Sequence, residues 1–399
     1  MWPEQSCSVS RRGSFAALTA RLILKKLLIL IHSLDGGGAE RVVWRLVNYW
    51  SERSDMEIHI AVMKPRFAYP PLHHATIHVL GKEQTSLAGK LLEQPQLLAR
   101  FRALVKALAP DCVFSLMPRS NAIAGLVKPL LKPGARLVMS ERTFFEAQYS
   151  GLTGACVRAV IRTLYRKADA VIAVSQGVAD GLVDRGVPAG RVVAIPNPVD
   201  AGELRALSLA EDVAVHPWLL TPDVPVFLSL GRFAPEKDFL SLLRAFAQAQ
   251  AQAPARLLIM GKGPLEGELR AEISRLGLDG KADLVPFASN PFPSMRRAYA
   301  YVLSSKVEGF PNALLEALTL GKPCIAYDCK TGPRELLEGR ACGKLVAPQG
   351  DVPALAQAMV SFLAKPTMAR SLGEAARLRT EEFSLPVIAR RYERVLFDN

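Results

Sequence analysis

The stretch Leu27-Leu-Ile-Leu-Ile-His-Ser-Leu-Asp-Gly-Gly-Gly-Ala-Glu-Arg41 sets the fold. An apolar run over Leu27–His32 has the composition of a buried strand, three glycines form a turn, and a helical pattern follows over Ala39–Trp50. A strand that passes through glycines into a helix is half of a βαβ unit, and the unit repeats. Ile58–Met63 predicts a strand, Gln96–Leu108 a helix, Cys112–Leu116 and Leu137–Ser140 strands, Gly154–Lys167 a helix and Ala170–Val174 a strand. A turn-rich break, Ile195-Pro-Asn-Pro-Val-Asp200, and an irregular stretch through His216-Pro-Trp218 come next. A second series then runs Val226–Leu230 (strand), Phe239–Gln250 (helix), Leu257–Met260 (strand), Glu266–Leu276 (helix), Asp283–Pro286 and Tyr301–Leu303 (strands), a helix after Pro311, and Pro323–Tyr327 (strand). This alternation implies parallel sheets with functional loops at the strand carboxyl ends.

The chain has 399 residues. At roughly 100–200 residues per domain, that length suggests two domains. Half of the residues are apolar and 22% are charged, which excludes a disordered chain. Six Cys without a CxxC pair exclude a disulfide framework and an obvious zinc site. The net charge is +13 and unevenly spread: residues 1–205 hold 27 Lys+Arg against 16 Asp+Glu, and residues 206–399 hold 23 against 21. Such an asymmetry points to an anionic partner for the first half, although charge alone does not choose among nucleic acid, membrane and phosphorylated substrate.

No run reaches the ~18–20 apolar residues of a spanning helix. The Arg11-Arg12 pair is not followed by an uninterrupted apolar region or a small-residue cleavage site, so an export signal is not expected. Residues 1–25 are an N-terminal extension. Ser14–Lys26 is either a frayed end or a short amphipathic helix with Phe15, Leu18 and Leu22 on one side, flanked by Arg21 and Lys25.

Three constellations carry chemistry. Gly36, Gly37 and Gly38 let backbone N–H groups approach an anion at a helix start, although the third glycine of a dinucleotide fingerprint is replaced by Arg41. In Ser229-Leu-Gly-Arg-Phe-Ala-Pro-Glu-Lys-Asp238, Arg232 and Lys237 follow a strand and are placed to meet a diphosphate together. In Ser304-Ser-Lys-Val-Glu-Gly-Phe-Pro-Asn-Ala-Leu-Leu-Glu316, Pro311 fits the first position of a helix that Gly321 ends. The N–H groups of Asn312, Ala313 and Leu314 are then open to a phosphate. Glu308 before the helix suits sugar hydroxyls and Glu316 inside it suits a ribose pair, since each carboxylate accepts two hydroxyl bonds.

Glu308-x7-Glu316 around Gly-Phe-Pro-Asn resembles the donor-site motif of retaining GT-B glycosyltransferases of family 4. The glycine loop, Gly231-Arg-Phe-x3-Lys237, Gly261-x-Gly263-Pro, Gly332-Pro333, Ala168–Ser175 and Ile195–Asp200 match that family in its order, from about residue 26 onward. The resemblance implies an α/β protein with two Rossmann-like, doubly wound domains facing across a cleft. The acceptor side would span 26–200, a linker 201–223, the nucleotide-sugar side 224–383, and a helix over 384–399 would cross back. It further implies that Arg232 and Lys237 neutralise the leaving diphosphate and that Glu308 holds the donor sugar, these three being the catalytic set. Gly36–Gly38, Gly261, Val285, Gly309, Phe310, Pro311, Asn312, Ala313, Leu314 and Glu316 would complete the donor site. Transfer would proceed with retention and without a metal or cofactor, the nucleotide sugar being a substrate. UDP-linked hexose or N-acetylhexosamine is the donor expected by analogy.

The chain departs from many relatives in having no His in Met139-Ser-Glu-Arg-Thr143, a form similar to members that build bacterial surface or lipid-linked glycans. Glu141 and Arg142, with Arg119 and Asn121, are therefore the acceptor-side candidates. Arg158, Arg162 and Arg166 recur at i, i+4, i+8 and predict a basic helix face for acceptor phosphates or an anionic membrane, at the inner face of the cell membrane. The rivals are a nucleotide-sugar epimerase on the same scaffold, which needs no acceptor, and a nucleic-acid binder. The second lacks an RNP-like aromatic pattern, a KH loop or finger spacing.

Overall fold

The computed structural model describes residues 24–398 apart from 54, 69–71, 73, 84–86, 144–150, 212 and 339–341, with side chains also excepted at 87–92 and 152–153. The N-terminal extension before residue 24 lies outside the described residues, as does the greater part of its amphipathic reading.

Two parallel sheets organise the chain. The first contains β1 (Lys25–Ile31), β2 (Met56–Val62), β3 (Ala75–Val79), β4 (Cys112–Leu116), β5 (Arg136–Glu141), β6 (Ala170–Ala173) and β7 (Val192–Ala194), in the order β3-β2-β1-β4-β5-β6-β7. The second contains β8 (Val226–Leu230), β9 (Arg256–Gly261), β10 (Ala282–Pro286), β11 (Ala300–Leu303), β12 (Cys324–Tyr327) and β13 (Lys344–Val346), in the order β10-β9-β8-β11-β12-β13. Each order runs outward in both directions from its first strand, which is the doubly wound Rossmann-like arrangement expected from the alternation.

The central strands are buried on both faces, with Leu27, Leu28, Leu30, Phe227 and Leu228 fully inaccessible. That is why they read as continuous apolar runs. The strands without a sequence signal are β3, β7 and β13, at sheet edges. β3, Ala-Thr-Ile-His-Val, keeps none of its residues fully buried, so it shows no apolar block. Helices cover both faces, and the order of strands reverses at β1/β4 in one sheet and β8/β11 in the other. Ligands of doubly wound sheets bind outside the strand carboxyl ends at these switch points.

The segment between the sheets is not a free linker. Its helix Ala201–Ser208 packs on the helix Phe292–Arg297, with Arg296 Nε donating to the Ser208 carbonyl at 3.0 Å. The last helix, Leu385–Phe397, lies on the first sheet, where Tyr392 is fully buried. Glu393 there accepts from Trp50 Nε1 at 2.9 Å and Arg53 Nη1 at 2.6 Å. Among the described residues, no helix is long and apolar enough to cross a membrane.

Candidate active site

The carboxyl ends of β8 and β11, neighbours at the second switch point, carry the Arg/Lys loop and the first carboxylate. Lys237 Nζ lies 2.6 Å from Glu308 Oε1, and the same oxygen accepts from Ser305 Oγ at 2.6 Å. The Ser304 hydroxyl binds the Lys237 carbonyl at 2.8 Å, and the Thr331 hydroxyl binds the Glu308 carbonyl, so both loops are pinned. Arg232 differs from Lys237. Its side chain is 69% exposed and meets the neighbouring Glu236 Oε1 at 3.0 Å, so its guanidinium is accessible to an anionic ligand.

The helix after this loop is Asn312–Thr319, with Pro311 as its N-cap, so the first helical position predicted for Pro311 belongs to Asn312. An N-cap keeps non-helical backbone angles, and Pro311 has ψ of 89°. Phe310 and Leu314 turn their side chains into the core. Glu316 is buried, its side chain 6% exposed, and is bonded at 2.6 Å by Arg41 Nη1 from the other half of the molecule.

That half brings its glycine loop to the same place. Gly36 has φ of +90°, a region glycine alone enters without strain, and turns the chain from β1 into the helix Gly38–Ser51. Gly38 abuts Asn312: a Cβ on it would lie 2.9 Å from the Asn312 amide nitrogen. Asn197 Nδ2 donates to Asn312 Oδ1 at 2.5 Å. Gly309 packs on the Arg142 carbonyl, and Gln176 N donates to Glu335 Oε1 at 2.9 Å. The two halves thus meet around these loops. Gly261 ends β9 against the Gly231 carbonyl, and half-buried Val285 lies in the adjacent β10.

Several acceptor-side expectations are corrected by burial. Asn121 is fully buried and accepts from Ser115 Oγ at 2.7 Å while its amide donates to the Ser140 carbonyl and the Tyr165 hydroxyl at 3.0 and 2.8 Å. Glu141 is fully buried and accepts from the Tyr165 and Thr143 hydroxyls and from two backbone N–H groups. Burial raises its pKa, and these bonds oppose the shift. Arg142 is spent inside the fold on Tyr392 Oη at 3.0 Å, Ser140 Oγ at 3.3 Å and Asn197 Oδ1. These three hold the strand ends in place and line no surface.

Arg119 alone of that group stays half-buried at the strand ends, with Nη1 3.4 Å from His32 Nδ1 and Nε 3.3 Å from Gln94 Oε1. His32 directly follows β1. Burial, then Arg119, Lys64 and Arg66, lower its pKa to about 4, so the ring is neutral at pH 7. Arg158 and Arg162 are exposed on the helix Gly151–Leu164. Arg166 is exposed too, in the 3-10 turn Tyr165–Lys167 that continues from the helix.

Arg41, Asn197, His32, Ser305 and Thr331 were not singled out from the sequence. Their signal was position: His32 and Ser305 lie just beyond strands, Asn197 and Thr331 in loops of matching motifs, and Arg41 in the first turn of the helix that follows the glycines. Among the described residues, no cluster of three or more His, Cys, Asp or Glu is placed to hold a metal ion.

The chain matches the family model described as Glycosyltransferase Family 4 over residues 36–203 and that described as Glycosyl transferases group 1 over residues 212–379. It is 29% identical over 372 residues, 92% of this chain and 98% of the relative, to the N-acetylgalactosamine-N,N'-diacetylbacillosaminyl-diphospho-undecaprenol 4-alpha-N-acetylgalactosaminyltransferase of Campylobacter jejuni. The amylovoran biosynthesis glycosyltransferase AmsD of Erwinia amylovora is 24% identical over 373 residues, 93% of this chain and 99% of that protein. In fold the chain is similar to Anabaena HepE solved in complex with UDP and glucose, with a TM-score of 0.76 at 20% identity over 93% of this chain and 99% of that one.

Proposed function

Since the chain belongs to the glycosyltransferases of family 4 and group 1, we propose that it moves a hexose or N-acetylhexosamine from a UDP-sugar to a lipid-linked or polysaccharide acceptor in bacterial surface glycan synthesis, with retention of anomeric configuration. The observation that carries this reading is the Lys237–Glu308 contact of 2.6 Å at the β8/β11 switch point, next to an exposed Arg232. A neutral diol and a departing diphosphate need that pairing of a hydroxyl acceptor with two cations. Glu308 accepts donor-sugar hydroxyls, Lys237 and Arg232 stabilise the diphosphate as its negative charge grows, and the N–H groups opening the helix at Asn312 add their dipole. The C1–O bond to the diphosphate breaks, the C1–O bond to the acceptor forms on the same face, and the acceptor proton passes to the leaving phosphate oxygen. Positive groups in the site take the place of a metal. Acceptor phosphates approach from the first half, where Arg119, Arg158, Arg162 and Arg166 are accessible, and the enzyme works peripherally at the inner face of the membrane. Support for a lipid-linked acceptor comes from the Campylobacter relative, whose name specifies a diphospho-undecaprenol substrate.

The test is a thermal-shift and hydrolysis screen against UDP-, GDP- and ADP-sugars, repeated with Lys237→Ala. A UDP-sugar is expected to stabilise the protein selectively, and Lys237→Ala to lower turnover on the order of 10²-fold, as loss of one charge-stabilising donor does. Turnover by Lys237→Ala at the normal rate would overturn the assignment. Conversion of the nucleotide sugar to an isomer without acceptor would favour the epimerase reading.

A further inference from the structure

Glu316 is bonded across the cleft. Its helix, Asn312–Thr319, starts against the first residue of the helix Gly38–Ser51, with Gly38 touching the Asn312 amide. Arg41 is three residues into one helix and Glu316 four residues into the other, so both sit about one turn along at ~1.5 Å per residue. The two helices therefore meet twice, once at their starts and once through the 2.6 Å bond of Arg41 Nη1 to Glu316 Oε1. Asn197, at the end of the first half, adds its bond to Asn312.

A carboxylate as buried as Glu316 is unfavourable when its charge is uncompensated. Arg41 supplies the compensating charge and ties down Oε1, which fixes the orientation of the carboxylate. The charge that does this resides on the opposite half of the molecule, so the carboxylate is compensated only when the halves are together.

Resting on the donor-site reading above, we propose that Arg41 is a positioning residue for ribose recognition, acting through Glu316 across the cleft, so that closure completes the ribose site. By linkage, a nucleotide that uses Glu316 favours closure to the extent that closure favours the nucleotide.

The test compares binding of UDP and 2′,3′-dideoxy-UDP by calorimetry to wild type, Arg41→Gln, Arg41→Lys, Glu316→Gln and the Arg41→Gln/Glu316→Gln double variant, with thermal unfolding of each. Wild type is expected to prefer UDP by about tenfold, the size of one charge-assisted hydrogen bond. Arg41→Gln is expected to bring that preference close to one, to raise the donor KM about tenfold with kcat within about threefold, and to leave binding of dideoxy-UDP nearly unchanged. Arg41→Lys should restore part of the preference, and the double variant should be no weaker than Glu316→Gln alone. A merely structural Arg41 would weaken both nucleotides equally and keep their ratio. A kept ratio, or multiplicative losses in the double variant, would overturn the proposal. Failure of wild type to bind UDP, GDP or ADP at all would instead overturn the donor-site reading, and if GDP or ADP binds best the same comparison is made with it.

Discussion

A single methyl group at Gly309 tests whether the closed arrangement is the working one. Gly309 follows Glu308 directly, and a Cβ built on it lies 2.1 Å from the Arg142 carbonyl oxygen, 2.9 Å from its carbon and 3.3 Å from Thr143 Cα. All three are backbone atoms, so no side chain can swing aside. Arg142 itself is anchored by Tyr392, Ser140 and Asn197, and the Glu308 carbonyl by Thr331. Ordinary contact begins at 3.4 Å, so Gly309→Ala has to open this junction by about 1.3 Å. Relief by local strain costs ~1–3 kcal/mol, the usual range for overpacking. Relief by parting the halves displaces Glu308 from the acceptor side by about 1 Å, a misplacement that costs ~10²-fold in rate. That loss corresponds to about 2.7 kcal/mol of activation free energy. The assay is steady-state transfer or hydrolysis of the sugar nucleotide, with UDP affinity and thermal unfolding measured beside it. The expected pattern is kcat/KM down about 10²-fold, UDP affinity lowered far less, and a modest loss of melting temperature, because Lys237 and Glu308 stay on the same half. Gly309→Ala with kcat/KM within twofold of wild type would refute the closed junction as the reactive geometry.

Two other predictions concern the first half. Replacing Arg158, Arg162 and Arg166 together by Gln should weaken sedimentation with anionic vesicles, at ~1 kcal/mol per basic residue near the surface, by roughly 10²-fold, and more steeply at low salt; unchanged binding would remove the membrane role of this face. His32 gives a pH signature: its folded pKa of about 4 lies below the ordinary 6.5, so the unfolded chain takes up a proton first as pH falls. Stability from the neutral ring is therefore present above about pH 6.5 and lost between about 6.5 and 4, and urea unfolding of His32→Gln should depend less on pH across that window, with equal slopes arguing against a buried neutral ring.

The parts legible in the sequence were those encoded by neighbours in the chain. β1, β4 and β8 read as apolar blocks because both of their faces are covered, and Arg232, Lys237, Glu308 and Glu316 read as a candidate site because short loops at strand ends, and the helix that opens from one of them, carry them. β3, β7 and β13 were illegible because edge strands are short or half-covered and need no apolar block. Asn121 and Glu141 looked like acceptor ligands for the same local reason, since Glu141 ends β5 and Asn121 lies in the first turn of the helix after β4, both in polar stretches. Nothing in their own segments tells that Tyr165, 44 and 24 residues away, turns them inward.

By itself, then, the sequence determined the two doubly wound sheets and the concentration of net positive charge in the first half. Periodicity, glycine turns and residue chemistry are properties of short segments. Only the tertiary structure decided which polar groups are spent on the fold and which two helices share a charge. Arg41 and Glu316 are 275 residues apart, and the physical reason they meet is burial. A carboxylate enclosed by the closing of two halves needs a cation from whichever side reaches it, and here that side is the opposite one.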